Sequence, residues 1–263
     1  MKKLSQILIY NDKGVTLRSF IQAKKSIKKI CQKTHKIIAV NHDYINNFDW
    51  EHFTDLFVMP GGFSSPHYQL LKNKGNEKIV KYVASGGKYL GFCSGGYYGA
   101  RKTIFEQNNP LEVVLDGPLN FFSGEAVGPV YGLGEYKYNS ERGMRAALVN
   151  FPGSDKKLYV YFNGGCFFRS TNLNRNEKIV VLSRYLDLEN EPAAVIKCFF
   201  GKGIAILTGI HPEFSLKMLD RFILKKENEF EKLKKSENLR KEYFLKLLKE
   251  LQIKNPSNVD DIK

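Results

Sequence analysis

The sequence reads Gly91-Phe92-Cys93-Ser94-Gly95-Gly96 at the point that decides its fold. The run Lys88–Phe92 before it predicts a strand, and the small residues after Cys93 open a helix. One residue on a sharp turn between strand and helix is the sequence form of a nucleophile elbow, and Gly91 and Gly95 allow the close packing that such a turn needs. The pattern predicts a cysteine at a strand end, where the helix N-terminus stabilises its thiolate. The alternative is a buried structural cysteine.

Strand-like and helix-like runs alternate on both sides of this segment. Amphipathic helix patterns occupy Thr16 to Lys33, with Thr16 as the cap, and Asn76 to Ala84. Short apolar runs predict strands at Ile7–Tyr10, Ile37–Val40, Leu56–Met59, Leu158–Phe162, Ile179–Leu182, Ala193–Phe199 and Ile204–Thr208. Strands separated by helices form βαβ units, so we expect an α/β fold with a mainly parallel sheet and helices on both faces.

The chain is predicted to form one domain over residues 1–254. The region from about 104 to 150 is rich in glycine and proline and predicts a small β-rich insertion. A C-terminal helical extension is expected over about 215–254, and a polar tail, expected to fray, over 255–263.

Composition excludes several classes of protein. Hydrophobic residues make up 43% and charged residues 26%, a balance that excludes wholesale disorder and a membrane bundle. Without an apolar run of 18 residues, no transmembrane helix is expected. The four cysteines are far apart and neither they nor the histidines have zinc spacing, so we expect a reducing, cytoplasmic location, no disulfide framework, no metal and no cofactor.

The net charge of +14 comes from 41 Lys+Arg against 27 Asp+Glu. Twelve Lys/Arg and seven acids lie between Lys217 and Lys254. A basic patch suits RNA, DNA or an acidic partner, but no aromatic-basic RNA motif or helix-turn-helix pattern accompanies it. We interpret it as solvated helix faces and do not expect nucleic acid as a partner.

A second motif, His211-Pro212-Glu213, follows the strand predicted at Ile204–Thr208. A cysteine nucleophile needs an imidazole to take and return its proton, and the imidazole needs a third group to hold its tautomer. The spacing H-x-E is weak alone, but both motifs follow strands of one predicted sheet, where open α/β folds place their sites. Cys93, His211 and Glu213 are therefore the candidate catalytic residues.

Glycine-rich turns follow two further strands. In Pro60-Gly61-Gly62, a backbone N–H can turn into a cleft, and the N–H groups of Gly62 and Ser94 would form a two-donor oxyanion hole. The alternative is an ordinary Pro-Gly turn. Asn163 and Gly164 follow the strand Leu158–Phe162, where lining of the cleft and a simple tight turn remain equal alternatives.

In this order the three motifs resemble class I glutamine amidotransferases, and the sequence is more closely similar to the N-terminal domain of eukaryotic biotin-protein ligases. The resemblance spans about residues 5 to 215 and implies a flavodoxin-like three-layer sandwich with a Cys-His-Glu constellation. It is carried by Pro60-Gly61-Gly62, Gly86-Gly87-Lys88-Tyr89-Leu90-Gly91-Phe92-Cys93-Ser94-Gly95-Gly96-Tyr97-Tyr98-Gly99, Leu119-Asn120-Phe121-Phe122-Ser123-Gly124, Gly128-Pro129-Val130-Tyr131, Tyr161-Phe162-Asn163-Gly164-Gly165 and Leu207-Thr208-Gly209-Ile210-His211-Pro212-Glu213.

Two departures from these families matter. The amidotransferase pattern places a glutamine, which helps to hold the substrate glutamine, where this chain has Tyr97. A tyrosine ring lacks the donor-acceptor pair of an amide, so we expect poor glutaminase activity. The adenylate loop of biotin ligases is absent and about 50 residues follow Glu213, so no biotin ligase activity is expected.

The leading hypothesis is a cysteine-dependent amide hydrolase or amidotransferase-like enzyme acting on a small-molecule or peptide amide. Cys93 attacks, His211 acts as base and then acid, and Glu213 orients His211. Gly61, Tyr97, Asn163 and Gly164 are the candidate substrate-binding residues. The alternative is a catalytically silent binding or regulatory module on the same fold, and a protein partner is compatible with either hypothesis.

Overall fold

The computed structural model describes residues 5–72, 74–171, 177–219 and 226–253, so the tail predicted for 255–263 lies outside the described residues. The helices are α1 (Leu17–Cys31), α2 (His42–Asn47), α3 (Ser65–Leu70), α4 (Lys74–Ala84), α5 (Ser94–Gly99) and α6 (Glu227–Glu250). The strands are β1 (Ser5–Tyr10), β2 (His35–Val40), β3 (Thr54–Met59), β4 (Lys88–Phe92), β5 (Ala100–Phe105), β6 (Val113–Asp116), β7 (Phe122–Gly128), β8 (Met144–Asn150), β9 (Lys157–Asn163), β10 (Phe167–Arg169), β11 (Ile179–Arg184), β12 (Ala193–Phe200) and β13 (Gly203–Thr208).

The central sheet has the strand order β2-β1-β3-β4-β13-β12-β10-β7-β5-β6, and β11 pairs with β12. The first five strands of this order are parallel to one another. Antiparallel pairs predominate beyond β13. The parallel half is the sheet that the alternation of apolar runs and helices predicts, and it contains the strand that leads into Cys93.

Helices cover both faces of the parallel half. Ile7 and Ile9 of β1 belong to one buried cluster with the apolar residues of α1 and α6, whereas Leu8 and Tyr10 belong to another that includes residues of α4. Successive strand residues point to opposite faces, so one apolar run supplies both clusters. The fold is therefore a three-layer α/β sandwich, as predicted.

The predicted helix after β1 begins where the sequence indicates. The Thr16 side chain accepts a hydrogen bond from the Ser19 N–H at 3.3 Å, which caps one of the unpaired donors at the start of α1. Phe20, Ala23 and Ile27 form its buried face. None of the helices in the described part of the chain is both long and apolar enough to cross a membrane.

Strands from residues 100–150 contribute to two different sheets. β5, β6 and β7 widen the central sheet, while β8 pairs with β9 in a separate two-stranded sheet. The helix α6 covers this second sheet, and its Ser236 hydroxyl accepts the N–H of Tyr159 at 2.8 Å. The packing of α6 links the C-terminal part of the chain to the loop region that borders the candidate site.

Candidate active site at the carboxyl edge of the sheet

Cys93 lies on the turn between β4 and α5, as the sequence predicts. Its backbone has φ 48° and ψ −104°, a conformation that a residue with a side chain rarely adopts and that persists where the surroundings enforce it. A Cβ at Gly95 would lie 2.2 Å from the Met59 carbonyl oxygen, and one at Gly91 would lie 2.3 Å from the Gly95 carbonyl oxygen. The glycines are thus required by the close approach of α5 to the sheet.

His211 and Glu213 form a buried pair directly after β13. The His211 Nδ1 lies 2.7 Å from the Glu213 Oε1, and the two residues are 3% and 0% exposed. The His211 N–H donates to the Tyr161 carbonyl oxygen at 2.9 Å, and the Ser26 hydroxyl donates to the Glu213 carbonyl oxygen at 2.6 Å. The backbone of the turn is therefore fixed from β9 on one side and from α1 on the other.

The two partners of His211 set its charge. Burial acts to lower the pKa of His211, but the Glu213 carboxylate and interaction with Cys93 outweigh burial and raise that pKa to about 10. Because Nδ1 is engaged by Glu213, Nε2 is the ring nitrogen left for Cys93. A Cβ placed on Gly61 would meet both the His211 ring and the Cys93 Cβ, so the imidazole and the cysteine flank the same point.

Gly62 and Ser94 present backbone N–H groups near Cys93. Gly62 has φ 151°, and a Cβ there would lie 1.9 Å from the Gly14 carbonyl oxygen, so only glycine fits. Two backbone hydrogen bonds flank Gly62: the Thr16 N–H donates to the Gly61 carbonyl oxygen, and the Phe63 N–H donates to the Gly14 carbonyl oxygen. The Gly62 N–H takes part in neither bond. Ser94 is the first residue of α5, so its N–H has no partner four residues earlier in that helix.

A cleft of about 630 Å³, the large cleft, opens above Cys93 and His211. Its charged groups include Arg18, which is ion-paired to Glu141, and the exposed Arg142. Glu141 also accepts a hydrogen bond from the Tyr161 hydroxyl at 2.5 Å. The full lining consists of Thr16, Leu17, Arg18, Ser19, Gly62, Cys93, Tyr136, Asn139, Ser140, Glu141, Arg142, Tyr161, Asn163, His211, Phe214 and Lys226.

Asn163 faces the large cleft and contacts Cys93. Its carbonyl oxygen lies 3.8 Å from the Cys93 Sγ, and its side-chain amide donates to the Ser140 carbonyl oxygen at 2.8 Å. The buried Asn163 Oδ1 has no hydrogen-bond partner among the described residues. A buried acceptor without a partner is unusual in a folded protein, which makes Asn163 a residue to test by mutation.

Tyr97 and Gly164 line a second, small cavity of about 20 Å³ next to Ser94, and not the large cleft. The Tyr97 hydroxyl donates to the Gly164 carbonyl oxygen at 3.2 Å, and its ring packs edge-on against Phe105. Gly164 has φ 75°, and a Cβ there would lie 2.4 Å from the Tyr136 ring, which borders both spaces. The tyrosines that line this cavity therefore leave little room in it for a substrate side chain.

The structure adds residues that the sequence patterns do not single out. Tyr136, Glu141 and Arg142 come from the loop between β7 and β8, and Arg18 comes from the first turn of α1. The loop lacks periodicity, and a tertiary contact alone brings it over the site. Among the described residues, no cluster of three His, Cys, Asp or Glu side chains could hold a metal ion.

Solved structures define the class of the fold. A chain in the structure of PurLQS from Thermotoga maritima matches with a TM-score of 0.57 at 14% identity, over 95% of this chain and 100% of that one. A structure described as glutamine amidotransferase matches with a TM-score of 0.53 at 17% identity, over 85% and 97%. The chain has a glutamine amidotransferase-like α/β fold.

Sequence relatives define the family. Residues 5–262 match the family described as biotin-protein ligase, N terminal, and the chain belongs to this family. An uncharacterized protein of Chlamydia muridarum is 35% identical over 215 residues, 80% of this chain and 81% of that protein. The biotin–protein ligase of Schizosaccharomyces pombe is 34% identical over 213 residues, but the match spans only 33% of that ligase.

Proposed function

We propose that the chain is a cysteine-dependent amide hydrolase or amidotransferase-like enzyme in which Cys93 is the nucleophile. The observation that carries the proposal is the buried His211–Glu213 pair, with 2.7 Å between Nδ1 and Oε1, placed beside a cysteine on a strained strand-to-helix turn. An imidazole held in one orientation by a carboxylate, next to a thiol, is the arrangement that nucleophilic catalysis requires. The raised pKa of His211 favours an imidazolium beside Cys93 near neutral pH.

In the proposed first step, the Cys93 Sγ forms a bond to the carbonyl carbon of the amide, and the π electron pair moves to the carbonyl oxygen. The N–H groups of Gly62 and Ser94 bind that oxyanion. When the carbon–nitrogen bond breaks, His211 gives its proton to the leaving amine. The products of this step are the free amine and a thioester on Cys93.

In the second step, His211 takes a proton from water, and the resulting hydroxide bonds to the thioester carbon. The carbon–sulfur bond then breaks, which releases a carboxylic acid and restores the Cys93 thiolate beside the imidazolium. In a transferase reaction another nucleophile replaces water. Glu213 keeps Nδ1 protonated throughout, so that Nε2 exchanges the proton with the reacting groups.

The shape of the site supports a substrate other than glutamine. Tyr97 and Tyr136 line a cavity of only about 20 Å³, whereas the large cleft has the volume of an ordinary small-molecule site. We therefore propose a small-molecule or peptide amide that lies in the large cleft. Asn163 lines this cleft, and its carbonyl oxygen lies 3.8 Å from the Cys93 Sγ, so we assign it to contact that substrate.

The second candidate, a silent binding or regulatory module, is favoured by the burial of Cys93, which is 5% exposed. Acylation by p-nitrophenyl acetate, followed by intact mass, separates the two candidates. The enzyme proposal expects one acetyl group per chain, carried by the peptide that contains Cys93. Acetylation that is unchanged in Cys93→Ser, or absent from the wild-type chain, would favour the module.

A further inference from the structure

Away from Cys93, a separate cleft of about 220 Å³ lies between α1 and α6, and we call it the basic cleft. Its lining includes four lysines, Lys25, Lys29, Lys217 and Lys241, and Ile30 and Phe244 provide its buried apolar surface. The lysines come from α1, from the segment after Glu213 and from α6. The positive charge is thus assembled by the fold from segments far apart in the chain, and a charge count along one segment underestimates it.

The positive charge of the basic cleft is only partly offset by the protein, through Glu237. Among the described residues, none of these four lysines forms an ion pair, and Lys241 has only a 3.4 Å hydrogen bond to the Asn238 side chain. The nearby Glu237 is already engaged by the guanidinium of Arg240, at 2.9 and 3.0 Å. Burial, followed by the charges of Lys241 and Lys217, lowers the pKa of Lys29, and the opposing effect of Glu237 is too small to reverse this.

We propose that the basic cleft is a binding site for a phosphate monoester. An ammonium group is a compact point charge that suits a phosphate, whereas planar carboxylates are best matched by the arginine fork, which here is occupied by Glu237. The apolar surface of Ile30 and Phe244 accepts the organic part of the ester. The volume fits one small group, so a soluble ester and the headgroup of a phospholipid are its two possible sources.

The test is a titration of the full-length chain with phenyl phosphate, followed by calorimetry at constant ionic strength. We expect saturable binding that weakens about tenfold or more in Lys29→Gln/Lys241→Gln, because two charge-assisted contacts are lost. The matched control, Lys28→Gln/Lys235→Gln, removes two exposed lysines from the same two helices, outside the cleft, and should bind like the wild type. Cys93→Ser should also bind normally, since the inference does not depend on the chemistry proposed for Cys93.

The two sources of the ester are separated by sedimentation with phosphatidylcholine vesicles with and without phosphatidic acid. Binding of phenyl phosphate alone supports a soluble ester, and sedimentation that requires phosphatidic acid and Lys29 with Lys241 supports a headgroup. The proposal is overturned if neither probe binds, or if the two double variants lose binding equally. It is also overturned if a poly-glutamate peptide or an oligonucleotide binds at this cleft while both phosphate probes fail.

Discussion

Cys93 and Cys166 are both buried cysteines that follow a strand of this fold, yet their surroundings differ. Cys166 is 0% exposed, and burial raises the pKa of its thiol well above the ordinary value. Cys93 is nearly as buried, at 5%, but it lies at the start of a helix and beside the imidazole that Glu213 orients. The comparison teaches that a charged partner, and not exposure, is what distinguishes a candidate nucleophile from a structural cysteine.

The largest expected effect is the loss of acylation when the nucleophile is removed. Cys93→Ser should reduce the burst with p-nitrophenyl acetate by about 1,000-fold or more, because a hydroxyl cannot replace the thiolate in this site. Cys166→Ala should retain the burst and lose only about 1 kcal/mol of stability from the small cavity. The measurement is stopped-flow release of nitrophenolate, and equal bursts in the two variants would remove the distinction between the cysteines.

Removal of the imidazole should have the next largest effect. His211→Ala leaves Cys93 on its turn but without a charged partner, so we expect acylation near neutral pH to slow by about 100-fold, within the range of general acid–base catalysis. Circular dichroism provides the control that the variant folds. An unchanged acylation rate in the folded variant would show that His211 does not act on Cys93.

Glu213→Gln should have a smaller effect on acylation, about tenfold, because it disturbs the orientation and charge of His211 without removing the ring. It should also change the pH dependence of stability. The pKa of His211, about 10 in the folded chain, exceeds the unfolded value of about 6.5. The contribution of charged His211 to the free energy of unfolding is therefore complete below about pH 6.5 and is lost as the pH rises toward 10.

Urea unfolding at a series of pH values measures this dependence. The wild-type free energy of unfolding should fall between pH 6.5 and 10, and Glu213→Gln should flatten that fall. Parallel curves for the two chains would contradict the proposed role of Glu213 in setting the charge of His211.

The smallest expected signal is glutamine hydrolysis, which should not exceed the background. Tyr97 and Tyr136 line the small cavity next to Ser94, and a pocket with mismatched polar groups strongly rejects a substrate. Ammonia release from glutamine, measured by a coupled dehydrogenase assay, should stay at the level of Cys93→Ser. Turnover at ordinary amidotransferase rates would contradict this view of the site.

Local patterns predicted the parts of the fold that local chemistry determines. Each of three sequence features favours one local backbone conformation: the glycines around Cys93, the Thr16 cap and the apolar runs of the parallel strands. The structure contains the turn, the helix start and the strands that these features predict. Which sheet a strand joins is decided by packing: β7 and β8 have similar patterns and join different sheets. The same limit applies to Arg142, whose loop reaches the large cleft only through tertiary contacts.

The central claim is that His211 holds Cys93 as the reactive thiolate, and alkylation of the four cysteines tests it most directly. At pH 6 to 7, iodoacetamide and mass spectrometry of the native chain should show Cys93 modified well before Cys31, Cys166 and Cys198. Burial raises the pKa of Cys31 to about 12 and those of Cys166 and Cys198 well above the ordinary value, and all three are 0% exposed. Equal labelling of all four cysteines, or labelling of Cys93 that is the same in His211→Ala, would contradict the claim and leave the binding module as the better account.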